Sequence, residues 1–116
     1  MNETRKQKRI ASLLKEEVSR VIIEDIQDFM PTLITITRVE ISKDLKSAYV
    51  YLTLLDKKHK QTILNELEKK SGYLRKSIAS VTKLKYNPKL IFSYDSGREY
   101  KEKMDKLLDK IKTNGD

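Results

Sequence analysis

The stretch LITITRVEIS, residues 33–42, most constrains the fold, because β-branched residues fill it and its alternation changes phase partway. Ile34 and Ile36 fall at even positions, whereas Val39 and Ile41 fall at odd ones. A one-residue slip turns every later side chain to the opposite face, so a bulge or strong twist near Thr37-Arg38 is needed to reconcile the halves. KDLK then reads as a turn, and SAYVYLTLL as the returning strand. In it Val50, Leu52 and Leu54 point one way, with Tyr49, Tyr51 and Thr53 the other. The expectation is an antiparallel hairpin with one face available for helices.

Helical spacing flanks this hairpin. From Glu3 to about Asp28, Ile10, Leu13, Leu14, Val18, Val21 and Ile22 recur on one stripe, and Thr4 or Asn2 is placed to cap its start. The first turns carry Arg5, Lys6, Lys8 and Arg9, the wrong sign for a helix N-terminus, so those turns either fray or lie against a phosphate. Glu24, Asp25 and Asp28 read as a solvated helix end before Pro31. After the hairpin, Asp56 caps a helix from Lys57 whose apolar face runs through Ile63, Leu64 and Leu67. That face continues as Leu74, Ile78 and Val81 without losing phase, although Ser71-Gly72 interrupts it. A Gly/Ser pair is a usual cause of a sharp kink, so two helices sharing one buried face are expected, with Gly72 setting the angle. Asn87-Pro88 breaks the chain, and KLIFSYD, with Leu90, Phe92 and Tyr94 alternating, reads as a third strand.

Residues 98–112 carry Tyr100, Met104, Leu107, Leu108 and Ile111 on one stripe, supported by Glu99/Lys103 and Glu102/Lys106 pairs. They read as a docking helix or a partly ordered tail. The expected organisation is therefore one α+β domain over residues 1–97 and this C-terminal segment over 98–116. Its order, α-β-β-α-kink-α-β with a three-stranded sheet covered by helices on one face, is the topology of a type II KH domain.

The chemistry of enzymes finds little support. The chain has no cysteine and a single histidine, His59, set among lysines, which removes disulfides, thiol catalysis and a His-rich metal site. Three scattered glycines form no phosphate-binding loop. No apolar run approaches the ~20 residues of a membrane span, and no signal-peptide core opens the chain, so a cytoplasmic protein without cofactor, metal or small-molecule substrate is expected.

Charge distribution is more informative. The formal charge is +8, and seven basic residues lie between Lys69 and Tyr94 with no Asp or Glu among them. Removing those seven leaves +1 for everything else, so the positive charge is concentrated as a polyanion-binding face requires. Lys69, Lys76 and Lys83 recur at sevens and Tyr73 interleaves, opposite the Leu67/Leu74/Ile78 core face. Such lysines suit a phosphate backbone, with Tyr73 able to stack or hydrogen-bond; an ordinary solvated lysine face is the competing reading. KH domains that grip single strands use a GXXG loop between paired helices, but KKSGYLRK has one glycine. A structured RNA, met by shape and charge, is the better expectation.

These features together resemble the bacterial ribosome-binding factor A family, over about residues 5–112. RIASLLKEEVSRVI, ITRVEISKDLKSAYVYLTLL, SGYLRKSI and NPKLIFSYDSG occur in its order. The second is the most specific, because the family joins its first strands through a similar V-x-V-S-x-D-L-x-x-A-x-V-Y pattern. The third resembles the family's Ala-x-Gly kink, with Lys70 here at the alanine position. The fourth matches the family's strand only in part. The resemblance implies a non-catalytic assembly factor that binds free 30S subunits through 16S rRNA, assists late maturation including the 5′ end, and is linked to growth in the cold. By position, Lys69, Lys70, Ser71, Gly72, Tyr73, Arg75, Lys76 and Lys83 are the expected rRNA contacts. Lys85, Lys89, Arg5, Lys6, Lys8 and Arg9 are secondary ones. A monomer suffices. A general nucleic-acid-binding module and a protein-interaction module are the alternatives.

Overall fold

The structure, a computed structural model, describes residues 4–82 and 87–97. The expected C-terminal helix, Lys83 and Lys85 lie outside the described residues. Helix α1 spans Arg5–Val21. Thr4 caps it: its hydroxyl accepts the Gln7 N–H at 3.1 Å while Gln7 Oε1 accepts the Thr4 N–H at 2.9 Å. Two of the four orphan donors at the helix start are thereby satisfied, which offsets the unfavourable basic first turn.

The α-helix does not run to Asp28. A π-helical turn over Ile22–Ile26 and a 3-10 turn over Gln27–Phe29 replace its last turns. The Gln27 side chain binds the next segment, donating to Thr32 O at 2.8 Å and accepting from Ile34 N at 2.9 Å. This tie to the following segment favours an irregular exit that periodicity alone cannot register.

Strands β1 (Ile34–Ile41) and β2 (Ser47–Leu54) pair antiparallel, and β3 (Lys89–Tyr94) pairs parallel with β2, in the order β1-β2-β3. The register shifts between Ile36 and Arg38, where the phase of the sequence changes, so Ile34, Ile36, Val39 and Ile41 are all buried. In the hairpin turn, Asp44 Oδ1 accepts from Ser42 Oγ at 2.7 Å and from Lys46 N at 3.0 Å, while Leu45 takes a φ of 64°.

A parallel β2–β3 pair needs a crossover, which α2 (Lys60–Lys69) and α3 (Ser71–Val81) supply. Asp56 caps a 3-10 turn over Lys57–His59 rather than α2 itself, accepting from Lys58 N at 3.1 Å. Helix α1 packs on β1 and α3, and α2 on β3. The core joins Leu14, Val18, Val21 and Ile22 to Val50, Leu52, Ile63, Leu67, Leu74 and Ile78. Val81, expected on the apolar face, is exposed because it ends α3 beyond the last core layer. The architecture is the expected α+β, KH-like one.

Candidate nucleic-acid interface

The junction between α2 and α3 carries the densest set of expected contacts. The buried face runs through it as expected, with Ile63, Leu67, Leu74 and Ile78 all at 0–1 % exposure. The break, however, falls at Lys70 rather than at Ser71-Gly72. Lys70 has φ −93° and ψ 4°, and it ends α2 and precedes α3 at once. Its N–H closes α2 onto Glu66 O at 3.0 Å, and its carbonyl accepts the Leu74 N–H at 3.0 Å to open α3.

Gly72 sits one residue inside α3 with ordinary helical backbone, and a Cβ there would meet nothing within 4 Å. The expectation that this glycine sets the angle is therefore corrected: no left-handed conformation or close packing requires it. What glycine does here is leave the backbone bare in a first helical turn. No side chain caps α3 at Lys70, and amides of a first turn lack intrahelical acceptors. Together with the helix dipole they favour an anion.

The charges around the junction are partly neutralised by groups outside the acid-free window. Glu66 accepts from Lys70 Nζ at 3.0 Å and Lys69 Nζ at 3.5 Å, and these ammonium groups, Lys70 foremost, lower its pKa. Tyr73 is half exposed, and its hydroxyl donates to Asp25 Oδ2 at 2.8 Å, which raises the phenol pKa. Asp25, expected to be merely solvated, thus faces the junction from the end of the first helical segment. Lys76 is exposed and makes no ion pair among the described residues.

Arg75 differs most from its expected role. Its Nε and Nη2 donate to the carbonyls of Pro88 at 3.1 Å and Asn87 at 2.8 Å, and Asn87 Nδ2 returns a bond to Arg75 O at 3.2 Å. The guanidinium clasps the entry of β3 to α3, so its fork is committed to the fold.

The secondary candidates lie elsewhere. Arg5, Lys6, Lys8 and Arg9 are exposed on the first turns of α1, whose Gln7 donates to Ile41 O at 3.2 Å. Lys89 is exposed at the start of β3, and its N–H donates to Lys46 O at 2.8 Å in the turn that follows Ile41. Lys89 follows Pro88, whose carbonyl Arg75 of α3 holds, so it lies beside α3 as well as the hairpin turn. Arg5, Lys6, Lys8 and Arg9 mark the hairpin-turn end of the α1 segment, and Asp25 ties the junction to its other end. At 1.5 Å per residue the helical run between them spans roughly 30 Å.

Sequence reasoning missed a network on the open sheet face. Thr37 in the bulge donates to Asp95 Oδ2 at 2.7 Å, and Arg38 lies 3.8 Å over the Tyr51 ring and 3.8 Å from Asp95. The bulge was the available signal, because it is what turns Arg38 towards Tyr51. No cluster of three or more metal-binding side chains occurs among the described residues, and none of their helices is long and apolar enough to cross a membrane.

Comparison with known proteins agrees with this scaffold. The family model described as Ribosome-binding factor A matches residues 6–108. A ribosome-binding factor A from Halothermothrix orenii is 36% identical over 106 residues, covering 90% of this chain and 87% of that protein. One from Clostridium tetani is 34% identical over 110 residues, covering 93% and 91%. The crystal structure of ribosome-binding factor A from Thermus thermophilus superposes with a TM-score of 0.65 at 23% identity, over 76% of this chain and 94% of that one. Family match, relatives and fold converge: the chain belongs to the ribosome-binding factor A family.

Proposed function

We propose that this protein is a ribosome-assembly factor that binds free 30S subunits through 16S rRNA and assists late 16S rRNA maturation, including at the 5′ end. The observation that carries the reading is the α2–α3 junction, where an uncapped helix start, a bare glycine backbone and Lys69, Lys70 and Lys76 meet on a KH-like scaffold. Family membership supports a ribosomal partner, since the relatives are named for ribosome binding. The protein works as a cytoplasmic monomer, its domain over residues 1–97 providing the RNA surface and 98–116 an appended segment. Lys69, Lys70, Ser71, Gly72, Tyr73, Lys76 and Lys83 contact rRNA, with Lys85, Lys89, Arg5, Lys6, Lys8 and Arg9 supporting, while Arg75 acts by holding the scaffold.

The mechanism is binding rather than bond-making. A protein that prefers one rRNA conformation shifts the population towards it by the difference in its affinities. Favouring a processable 5′ region would have its largest effect in the cold, where rRNA rearranges slowly. The test is a strain lacking the protein, complemented by wild type or by a Lys69→Glu/Lys76→Glu variant. Unprocessed 16S 5′ ends should accumulate with the variant and not with wild type; equal processing in both would reject the reading. Equal affinity of the protein for duplex DNA, unrelated RNA and 30S particles would instead favour a general nucleic-acid module.

A further inference from the structure

A groove of about 310 Å³ opens between α1 and the bulged half of β1, lined by Lys8, Ala11, Ser12, Lys15, Arg38 and Val39. We propose that this groove is a second phosphate-binding site, which seats the RNA backbone through Lys8 and Lys15. The proposal rests on the rRNA-binding reading above and adds a surface to it.

Three observations converge. Lys8, Ser12 and Lys15 follow one another at four and three residues, so they project from one side of α1 as a cation–hydroxyl–cation row. Both lysines are exposed, and neither has an ion-pair partner among the described residues. By contrast Arg20, farther along α1, is bridged to Glu17 at 3.0 Å and Glu24 at 2.9 Å. The chain thus neutralises the lower helix and leaves the row at the groove uncompensated.

The opposite wall is the free edge of a sheet. β1 is an outer strand, and Gln7 on α1 already satisfies one of its outward carbonyls, Ile41 O, at 3.2 Å. Ser42 N bonds inward to Ser47 O at 2.9 Å. Because antiparallel ladders alternate, residue 40 also bonds inward, while Val39 directs its N–H and C=O to the open edge. The Val39 amide is therefore a donor at the open edge of β1, and Val39 lines the groove. Arg38 forms part of that wall with its guanidinium held by Glu40, Asp95 and the Tyr51 ring. Those two carboxylates compensate its charge, so the groove's uncompensated cations are Lys8 and Lys15. No carboxylate lines the groove. Two ammonium groups, a hydroxyl and a backbone amide around one concavity are the donors a phosphodiester needs.

The site lies towards the hairpin-turn end of α1, away from the α2–α3 junction, so one rRNA can touch both only by spanning the helical layer. The experiment measures retention of the full chain on free 30S subunits across a salt series. It compares wild type, Lys8→Ala/Lys15→Ala and Lys69→Ala/Lys76→Ala, each checked for an unchanged melting curve. Two lost phosphate contacts should lower the salt slope by about 1.4–1.8, for each double variant separately. A groove variant with wild-type affinity and slope, beside a weakened junction variant, overturns the proposal; the lysines then only guard the open β1 edge. No weakening in either variant rejects the rRNA-binding reading itself. Saturable shifts of the Val39 amide with inorganic phosphate, together with unchanged 30S retention of the groove variant, would assign the groove to a free anion and also overturn it.

Discussion

Gly72 and Lys70 exchange roles once the backbone is seen. The glycine has helical dihedrals and open space where a Cβ would go, so Gly72→Ala should stabilise the fold by about 0.4–1 kcal/mol through the unfolded chain. A thermal or denaturant melt checks this, and a loss of stability would mean that the glycine does set the junction. If 30S binding falls in the same stabilised variant, the bare backbone is serving the RNA. Asp95 supplies a second test at this scale. The Thr37 hydroxyl first, then the Gly97 amide and the Arg38 charge, hold its carboxyl below the ordinary value of 3.8. Its folded-state value is the lower one, so its contribution is complete above the unfolded value. That contribution is lost as pH falls through the folded one. Stability measured by denaturant midpoints between about pH 5 and pH 2 should therefore fall more in wild type than in Asp95→Asn.

Among the elements, the hairpin and the continuous α2–α3 face were legible in the sequence, because a period of two and a period near 3.6 each leave a direct trace of burial. The phase slip between Ile36 and Val39 even located the bulge. Contacts between elements leave no such trace. Nothing in the order of residues says that Asp25 will meet Tyr73 or that Arg75 will clasp the carbonyls of Asn87 and Pro88, whereas the Glu66 pairs with Lys69 and Lys70 follow ordinary helical spacing. An acid-free window thus overstated the free charge at the candidate site, and Arg75, expected at the RNA surface, also holds the fold. The shared core predicts that Leu67→Ala and Leu74→Ala each cost about 2–5 kcal/mol in a denaturant melt, since both side chains are fully buried on either side of the break. Arg75→Ala should cost about 1 kcal/mol and loosen the entry to β3, visible as faster amide exchange at Lys89 and Leu90. Unchanged exchange there would show that the clasp is dispensable.

At the scale of the molecule, one layer of helices covers one sheet face, and exposed cations lie at the α2–α3 junction, at Lys89 beside α3 and on the first turns of α1. Spreading them in this way suits an extended RNA surface better than a point ligand. Affinity from such contacts is largely electrostatic and must decline with salt, since each neutralised phosphate releases counterions. The most direct measurement is sedimentation of the full chain with separated 30S, 50S and 70S particles, for wild type and for Lys69→Glu/Lys76→Glu/Lys83→Glu. Wild type should travel with free 30S at low salt and leave it as salt rises, while the folded triple variant should stay at the top of the gradient. Even distribution of wild type over all particles, or a triple variant that still follows 30S, would contradict it.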